Sequence, residues 1–442
     1  MRFAVKKLNP GKQRKTVALV KGKPSRSSLE SAYTTTTKAI EILSENDRSF
    51  ESCIFEVYRR TVMIKPNLAC ADRQLGPANM VNTNPEACRA VVDWLIENEA
   101  KRIVFVESYD EERSDPWAAC GYRQIFSEEP YADVVEFASI QATTDRDLLE
   151  EEYEMPKDFY TSQDIAFLKG FLEGREAKGE VDSKIDVDEA VSTSAKFSRF
   201  LREASVLINM PKIKTHVLTG VSLSVKNLFT FLQPPETRYS KHLGVDPLRR
   251  DHTYTELILS SLNLQRSVAC VAAAFRNLRI PQLCIAEGII CQEGNGPLHH
   301  GSPREEHIVA ASWNNPATLD TVLAEGFMGL RLDGSPYLPP HIQWESRLGL
   351  GTRDPSEICL VLAREDGIPA SGVEEMRNNP NEAFEPPTTL VNRCTPRVFP
   401  RDNLLPVMTR ALDDLNASKV DPNSNFTVVK EKLSSDVEWG SC

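Results

Sequence analysis

Cysteine is scarce and unpatterned, with ten residues in 442 and no C-x-x-C anywhere. That excludes a disulfide scaffold and a zinc ribbon, and it fits a reducing, cytosolic setting. Long apolar runs are missing as well. The longest, Val268–Phe275, has eight residues, against the roughly 18–20 that a membrane-spanning helix needs. Met1–Lys23 lacks the apolar stretch of a secretory signal. There is no Walker sequence, no G-x-G-x-x-G, no H-E-x-x-H and no G-x-S-x-G. P-loop ATPases, typical Rossmann dehydrogenases, zincins and serine hydrolases are therefore disfavoured.

What remains is an ordinary globular composition, 41% hydrophobic and 26% charged, long enough for two to three domain-sized units. Charge is unevenly spread. Residues 1–29 carry nine Lys/Arg and no acid, which leaves 43 basic against 63 acidic residues, a net charge of −20, for the rest. An acidic body repels phosphate backbones, so nucleic acid is not an expected partner. The basic start reads as an arm or a transit peptide. The charge-flanked run Lys15–Lys21 (KTVALVK) favours the plainer reading, a buried first strand.

The pattern then alternates strand and helix. Ser27 or Ser28 caps a helix to about Leu43, and Val57–Asn67 is a strand ending in Lys-Pro-Asn. Thr83 or Asn84 caps a helix over Pro85–Asn98, with Pro85 at its first position. Arg102–Glu107 follows as a strand. Ala204–Asn209, Glu306–Ala311 and Glu357–Ala363 read as strands too, with a helix at Pro316–Met328. Val268–Ala274 and Ile280–Glu287 are two strands or a helix–strand pair. This rhythm predicts an α/β fold, a mostly parallel sheet flanked by helices. The expected organisation is a basic arm at 1–14, a first α/β lobe at 15–144, an acidic solvated insertion at 145–195, a similar second lobe at 196–365, and a Pro/Asn-rich wrap or tail at 366–442.

Three strands stop at Pro or Gly and hand over to polar residues: Lys65-Pro66-Asn67, Pro211–His216 leading to Gly220 and Lys226-Asn227, and Glu287-Gly288 followed by Glu293–Pro297. In open α/β sheets the ligand crevice lies beyond the carboxyl ends of strands. Lys212, Lys214 and His216 alternate, so an extended chain puts them on one face. Lysines gathered with Lys65 and Lys226 suit an anion, and clustering lowers their pKa toward that of a usable base. His216 is a proton shuttle or metal ligand; the plain alternative is a solvent-facing basic loop. Gly294, Asn295 and Gly296 suggest a turn whose amides cradle an oxyanion, with Glu293 as acid/base partner or simply a paired rim residue. The start of the Pro85 helix at Asn84 offers N–H groups to an anion, or is only a cap. Cys284 and Cys291 read as buried apolar cysteines, His299, His300 and His307 as loop residues rather than ligands. His242 and His252 are placed to swing toward Lys226.

In this order these segments resemble one family. Ile64–Asn67, Thr83–Glu86, Glu107-Ser108, Gly121-Tyr122, Pro211–His216 with Gly220, Lys226–Phe229, Glu287-Gly288 and Glu293–Pro297 are similar to the domain-of-unknown-function family 362, over about residues 15–365. The resemblance implies a cytosolic α/β domain and, in many relatives, a ferredoxin-like module with two four-cysteine motifs. No C-x-x-C-x-x-C occurs here, so a redox role would need an external ferredoxin-like electron carrier. Relatives often carry His where Asn84 stands and Asp where Glu287 stands.

The leading expectation is a cytoplasmic enzyme on a small anionic metabolite, a carboxylate or phosphate. Lys65, Asn67, Lys212, Lys214, Thr215, Asn227, Gly294, Asn295 and Gly296 bind it, while His216, Lys226 and Glu293 move protons, in isomerisation or elimination. No cofactor and no metal set is assigned. The alternatives are a redox enzyme with a separate iron–sulfur partner, and a non-catalytic anion- or metal-binding protein. No membrane partner is expected.

Overall fold

The charge-flanked run Lys15–Lys21 is strand β1 of the computed structural model, and its alternation shows where the layers lie. Ala18 and Val20 enter one hydrophobic core while Val17 and Leu19 enter another, because successive strand residues face opposite sides. The structure describes residues 14–386 except 72–74, 110–113, 142–147, 150–152, 155–161, 177–189, 191–193, 234–237, 239, 242, 244–253, 298–300, 333–334 and 337–338. His242, His252, His299 and His300, the basic arm up to residue 13 and the tail beyond 386 thus lie outside the described residues.

The strands are β1 Lys15–Lys21, β2 Thr61–Pro66, β3 Arg102–Glu107, β4 Val135–Ser139, β5 Tyr153–Glu154, β6 Ser194–Phe197, β7 Val206–Met210, β8 Lys212–His216, β9 Gly220–Ser222, β10 Leu232–Gln233, β11 Gln282–Gly294, β12 Gly301–Trp313, β13 Arg331–Leu332, β14 Ser335–Pro336 and β15 Ile358–Arg364. Ten of them form one mixed sheet in the order β15-β1-β12-β11-β7-β2-β3-β4, with β8 pairing to β11 and to β9. Most ladders are parallel; β12 runs antiparallel to both β1 and β11. Helices Ser28–Asn46 and Pro85–Glu97 cover one face. The long helix Tyr254–Leu278 covers the other.

The α/β class read from the sequence holds. Strands from both expected lobes lie in one sheet. β1 lies beside β15, and β7 lies between β11 and β2, so strands assigned to separate lobes interleave in one sheet. Local patterning carries no information on which distant strands pair. The stretch 145–195 is also not a solvated excursion in its described parts. Leu149, Leu168, Leu172 and Ala190 are buried in the main core, and β5 pairs with β6. Their apolar side chains are few, but they point inward.

Smaller differences have local causes. Glu51–Val57 is helical and β2 starts only at Thr61. The apolar run Val268–Phe275 belongs to helix Tyr254–Leu278 and is buried between sheet and neighbouring helices. No helix among the described residues is long and apolar enough to cross a membrane. Of the expected C-terminal wrap, Val373, Met376 and Phe384 plug the third core, and Lys21 donates to the carbonyl of Met376.

Candidate functional site

Strands β11, β7, β2 and β3 are neighbours, and their polar residues meet at one edge. Lys65 is the penultimate residue of β2, Glu107 the last of β3, and Asn209 the penultimate of β7. Pro211 then interrupts the chain, which resumes as β8 alongside β11. Alternation along β8 separates Ile213, packed in a hydrophobic core, from Lys212 and Lys214 on the other side. This is the carboxyl-end location expected from the sequence.

The lysines are enclosed rather than solvent-facing. Lys65, Lys212 and Lys214 are all buried, while Lys226 is partly exposed. Lys65 Nζ donates to Glu107 Oε2 at 2.8 Å, to the Pro66 carbonyl at 2.7 Å and to Asn227 Oδ1 at 3.5 Å. Lys212 Nζ donates to Glu287 Oε2 at 2.6 Å. That same oxygen accepts the Asn84 amide at 3.1 Å. The helix N-terminus at Asn84 thus does hold an anion, and it is the protein's own carboxylate.

Asparagines tie the set together. Asn227 Nδ2 donates to the Lys65 carbonyl and to Asn209 Oδ1, and its Oδ1 accepts from Asn67 Nδ2. Thr83 exchanges hydrogen bonds with the backbone of Asn67 and donates to the Met210 carbonyl. The cage is therefore a rigid, hydrogen-bonded structure.

Lys214 stands apart. Its Nζ donates to Asn67 Oδ1 at 2.7 Å and to the Val81 carbonyl at 2.8 Å, both neutral acceptors. Burial lowers its pKa well below the usual lysine value, and Lys226, Lys212 and Lys65 lower it further. An ammonium has three N–H bonds to place, whereas a neutral amine has two and a lone pair. Two acceptors match the neutral amine. Lys65, by contrast, has three acceptors including a carboxylate; burial lowers its pKa while Glu107 opposes the shift. Lys226 is brought down to about 8 by burial and then by Lys65. It has no hydrogen-bond partner among the described residues.

Other nominated residues are held elsewhere. His216 Nδ1 accepts the amides of Leu218 and Thr219 at 3.1 and 3.3 Å, which places the ring proton of the neutral form on Nε2 and closes the β8–β9 turn. The structure brings Glu293 to Arg304 at 3.1 Å and to the amide of Glu385 at 3.0 Å, not to a lysine. The amides of Gly294 and Gly296 do not point to a ligand: they donate to the carbonyls of Glu385 and Gly294. Gly296 serves close approach, since a Cβ there would lie 2.1 Å from the Thr215 carbonyl oxygen. Thr215 is buried, with its hydroxyl 3.5 Å from the Gln292 carbonyl, and Asn295 sits in the same turn, partly buried. Cys284 and Cys291 are buried as expected. His307 is buried against Ser31 and Glu305 instead of lying in a loop.

Glu107, Glu287 and Asn209 were not nominated, although Glu107 and Glu287 end or interrupt strands already placed at this edge. A lone strand-terminal Glu carries no local signal; its meaning comes from the lysine on the adjacent strand. Three further residues also escaped the sequence reading, Asp320, His341 and Glu345, which are buried on two helices beside Lys226. Among the described residues no group of three or more His, Cys, Asp or Glu is arranged to hold a metal ion. A surface cleft lined by Ser52, Glu56, Arg276, Arg279 and Trp313 opens at the opposite end of the sheet, where β11 begins.

Comparison with known proteins agrees with the resemblance read from the sequence. The family model described as a domain of unknown function, DUF362, matches residues 62–171 and 167–325. A thylakoid-associated protein of Synechocystis sp. is 30% identical over 151 residues, 30% of this chain and 41% of that protein. The matched region thus spans less than half of that relative's length. A crystal structure of a protein from Thermotoga maritima is similar over 62% of this chain and 53% of its own, at 12% identity and a TM-score of 0.33.

Proposed function

The chain belongs to the DUF362 family, and we propose that its lysine cage binds a small anion, a carboxylate or phosphate, and uses Lys214 as a base. The observation that carries this reading is Lys214 itself: an enclosed amine bonded only to two neutral oxygens, with three other lysines close by. Four lysines face two carboxylates, so the cage has positive charge to spare for an anion when Lys65, Lys212 and Lys226 are protonated. Lys226, partly exposed and without a hydrogen-bond partner among the described residues, is the cation that meets it.

The chemistry that follows is proton transfer. The Lys214 lone pair accepts a proton from a carbon next to a carbonyl or carboxylate, and the resulting ammonium returns it to a neighbouring atom. The first outcome is isomerisation; loss of a group from the adjacent carbon gives elimination. The negative charge that develops lies against Lys226 and Lys212, where a low-dielectric surrounding strengthens the attraction.

Calorimetric titration of the full chain with inorganic phosphate and with 2-oxobutyrate tests the binding step. Binding of at least one is expected, weakened tenfold or more in Lys226→Met. Deuterium exchange at C3 of 2-oxobutyrate in D2O tests the base. Exchange catalysed by the wild type and by Lys226→Arg, but not by Lys214→Met, is expected, since Arg keeps the charge of Lys226. Unchanged binding in Lys226→Met, or unchanged exchange in Lys214→Met, overturns the reading.

A further inference from the structure

His341 and Glu345 lie four residues apart on helix Pro340–Arg347, so they share a face. Both side chains are completely enclosed. Among the described residues, neither ring nitrogen of His341 and neither carboxyl oxygen of Glu345 has a hydrogen-bond partner. Four unbonded polar atoms inside a protein cost stability and give no internal return. Sequences retain such violations chiefly where function requires them.

Their surroundings connect them to the lysine cage. Helix Pro340–Arg347 packs on helix Pro316–Thr321, which in turn packs on the helical turn Ser224–Asn227 that carries Lys226. Asp320, on the middle helix, is satisfied by the amides of Ser224 and Val225 at 2.9 and 3.0 Å. Burial and then the Lys226 charge bring His341 down to about 3, so its imidazole is neutral at pH 7. Burial and then Asp320 raise Glu345 well above the carboxylate range, so it is a carboxylic acid. A neutral imidazole and a carboxylic acid each present one donor and at least one acceptor. The complementary group is neutral and both donates and accepts, which describes a hydroxyl.

We propose that His341 and Glu345 receive hydroxyl groups of a ligand whose anionic end rests on Lys226, which makes the substrate a small hydroxylated anion. This rests on the anion-binding reading above. Hydroxycarboxylates and sugar-type phosphates share this chemistry.

Calorimetry on the full chain with two matched pairs decides between them: glycerate against propionate, and glycerol 1-phosphate against propyl phosphate. The hydroxylated member of one pair is expected to bind at least tenfold tighter, and that pair identifies the anion. In His341→Leu/Glu345→Leu the preference should shrink to twofold or less, with the deoxy anion bound as in the wild type. Glu345→Gln, which keeps a donor and an acceptor, should retain the preference. Thermal melting supplies the fold control: the double leucine variant should melt no lower than the wild type, since it loses only unbonded polar atoms. If it does not fold, His341→Phe decides by the same criterion. Binding without preference in either pair, or a preference that survives in the leucine variant, overturns this inference and leaves anion binding standing. No binding of any of the four overturns both.

Discussion

Lys65 and Lys214 are both enclosed, yet only Lys65 has a carboxylate against it, and that difference predicts unequal responses to the same substitution. Lys65→Met leaves Glu107 charged and buried without its partner, a loss of about 3–5 kcal/mol. Lys214→Met strands two neutral oxygens and no charge, so less than half that loss is expected. Urea denaturation of the two variants checks the ranking. Lys226 gives a pH signature. Its folded pKa of about 8 lies below the ordinary lysine value of 10.5, so between these pH values the unfolded chain binds more protons and stability rises with pH. Lys226→Met should therefore melt above the wild type near pH 7.5, with the gain gone by pH 10.5. A constant offset across that range contradicts the assignment. The lysines were legible in the sequence because their spacing on β8 needs only local geometry. The contacts of the nominated proton carriers were not: a turn closes on His216 within three residues, and Arg304 and the distant Glu385 amide hold Glu293.

At the scale of elements, the local chemistry of caps and breaks was readable. The Ser27 and Asn84 caps, the Pro85 start and the Arg102–Glu107 strand all stand as expected, since side-chain caps act within three residues. The stretch 145–195 reads as solvated because its apolar residues are sparse, whereas Leu168 and Leu172, four apart on helix Ser162–Glu176, are both buried. Leu168→Ala or Leu172→Ala should cost about 2–5 kcal/mol; a cost under 0.5 kcal/mol, typical of surface sites, contradicts that packing. His216 is an element-scale residue too. His216→Ala leaves the Leu218 and Thr219 amides unbonded inside the protein and should lower stability by about 1–3 kcal/mol. Asparagine, which has an acceptor near the same place, should recover part of it.

For the whole molecule, the consequential feature is that one sheet recruits strands from both ends of the described chain. β1 and β15 pair in parallel register from Lys15↔Ile358 to Lys21↔Arg364, and the cage draws on β2, β3, β8 and β11 at once. No lobe holds the site alone. Cage and sheet should accordingly be lost together on unfolding: anion-dependent stabilisation should shift one calorimetric transition as a whole, not one of two. The class of fold was legible from the strand–helix rhythm, while the interleaving was not, because pairing between distant parallel strands leaves no local trace.

The central claim is that Lys214 is a neutral amine with an unshared lone pair at neutral pH. The most direct measurement is the 15N shift of the lysine Nζ atoms in the full chain at pH 7, in the wild type and in Lys214→Met. One signal is expected in the neutral-amine region, vanishing in the variant. Ammonium shifts for every lysine, with nothing lost from the amine region on substitution, would contradict it.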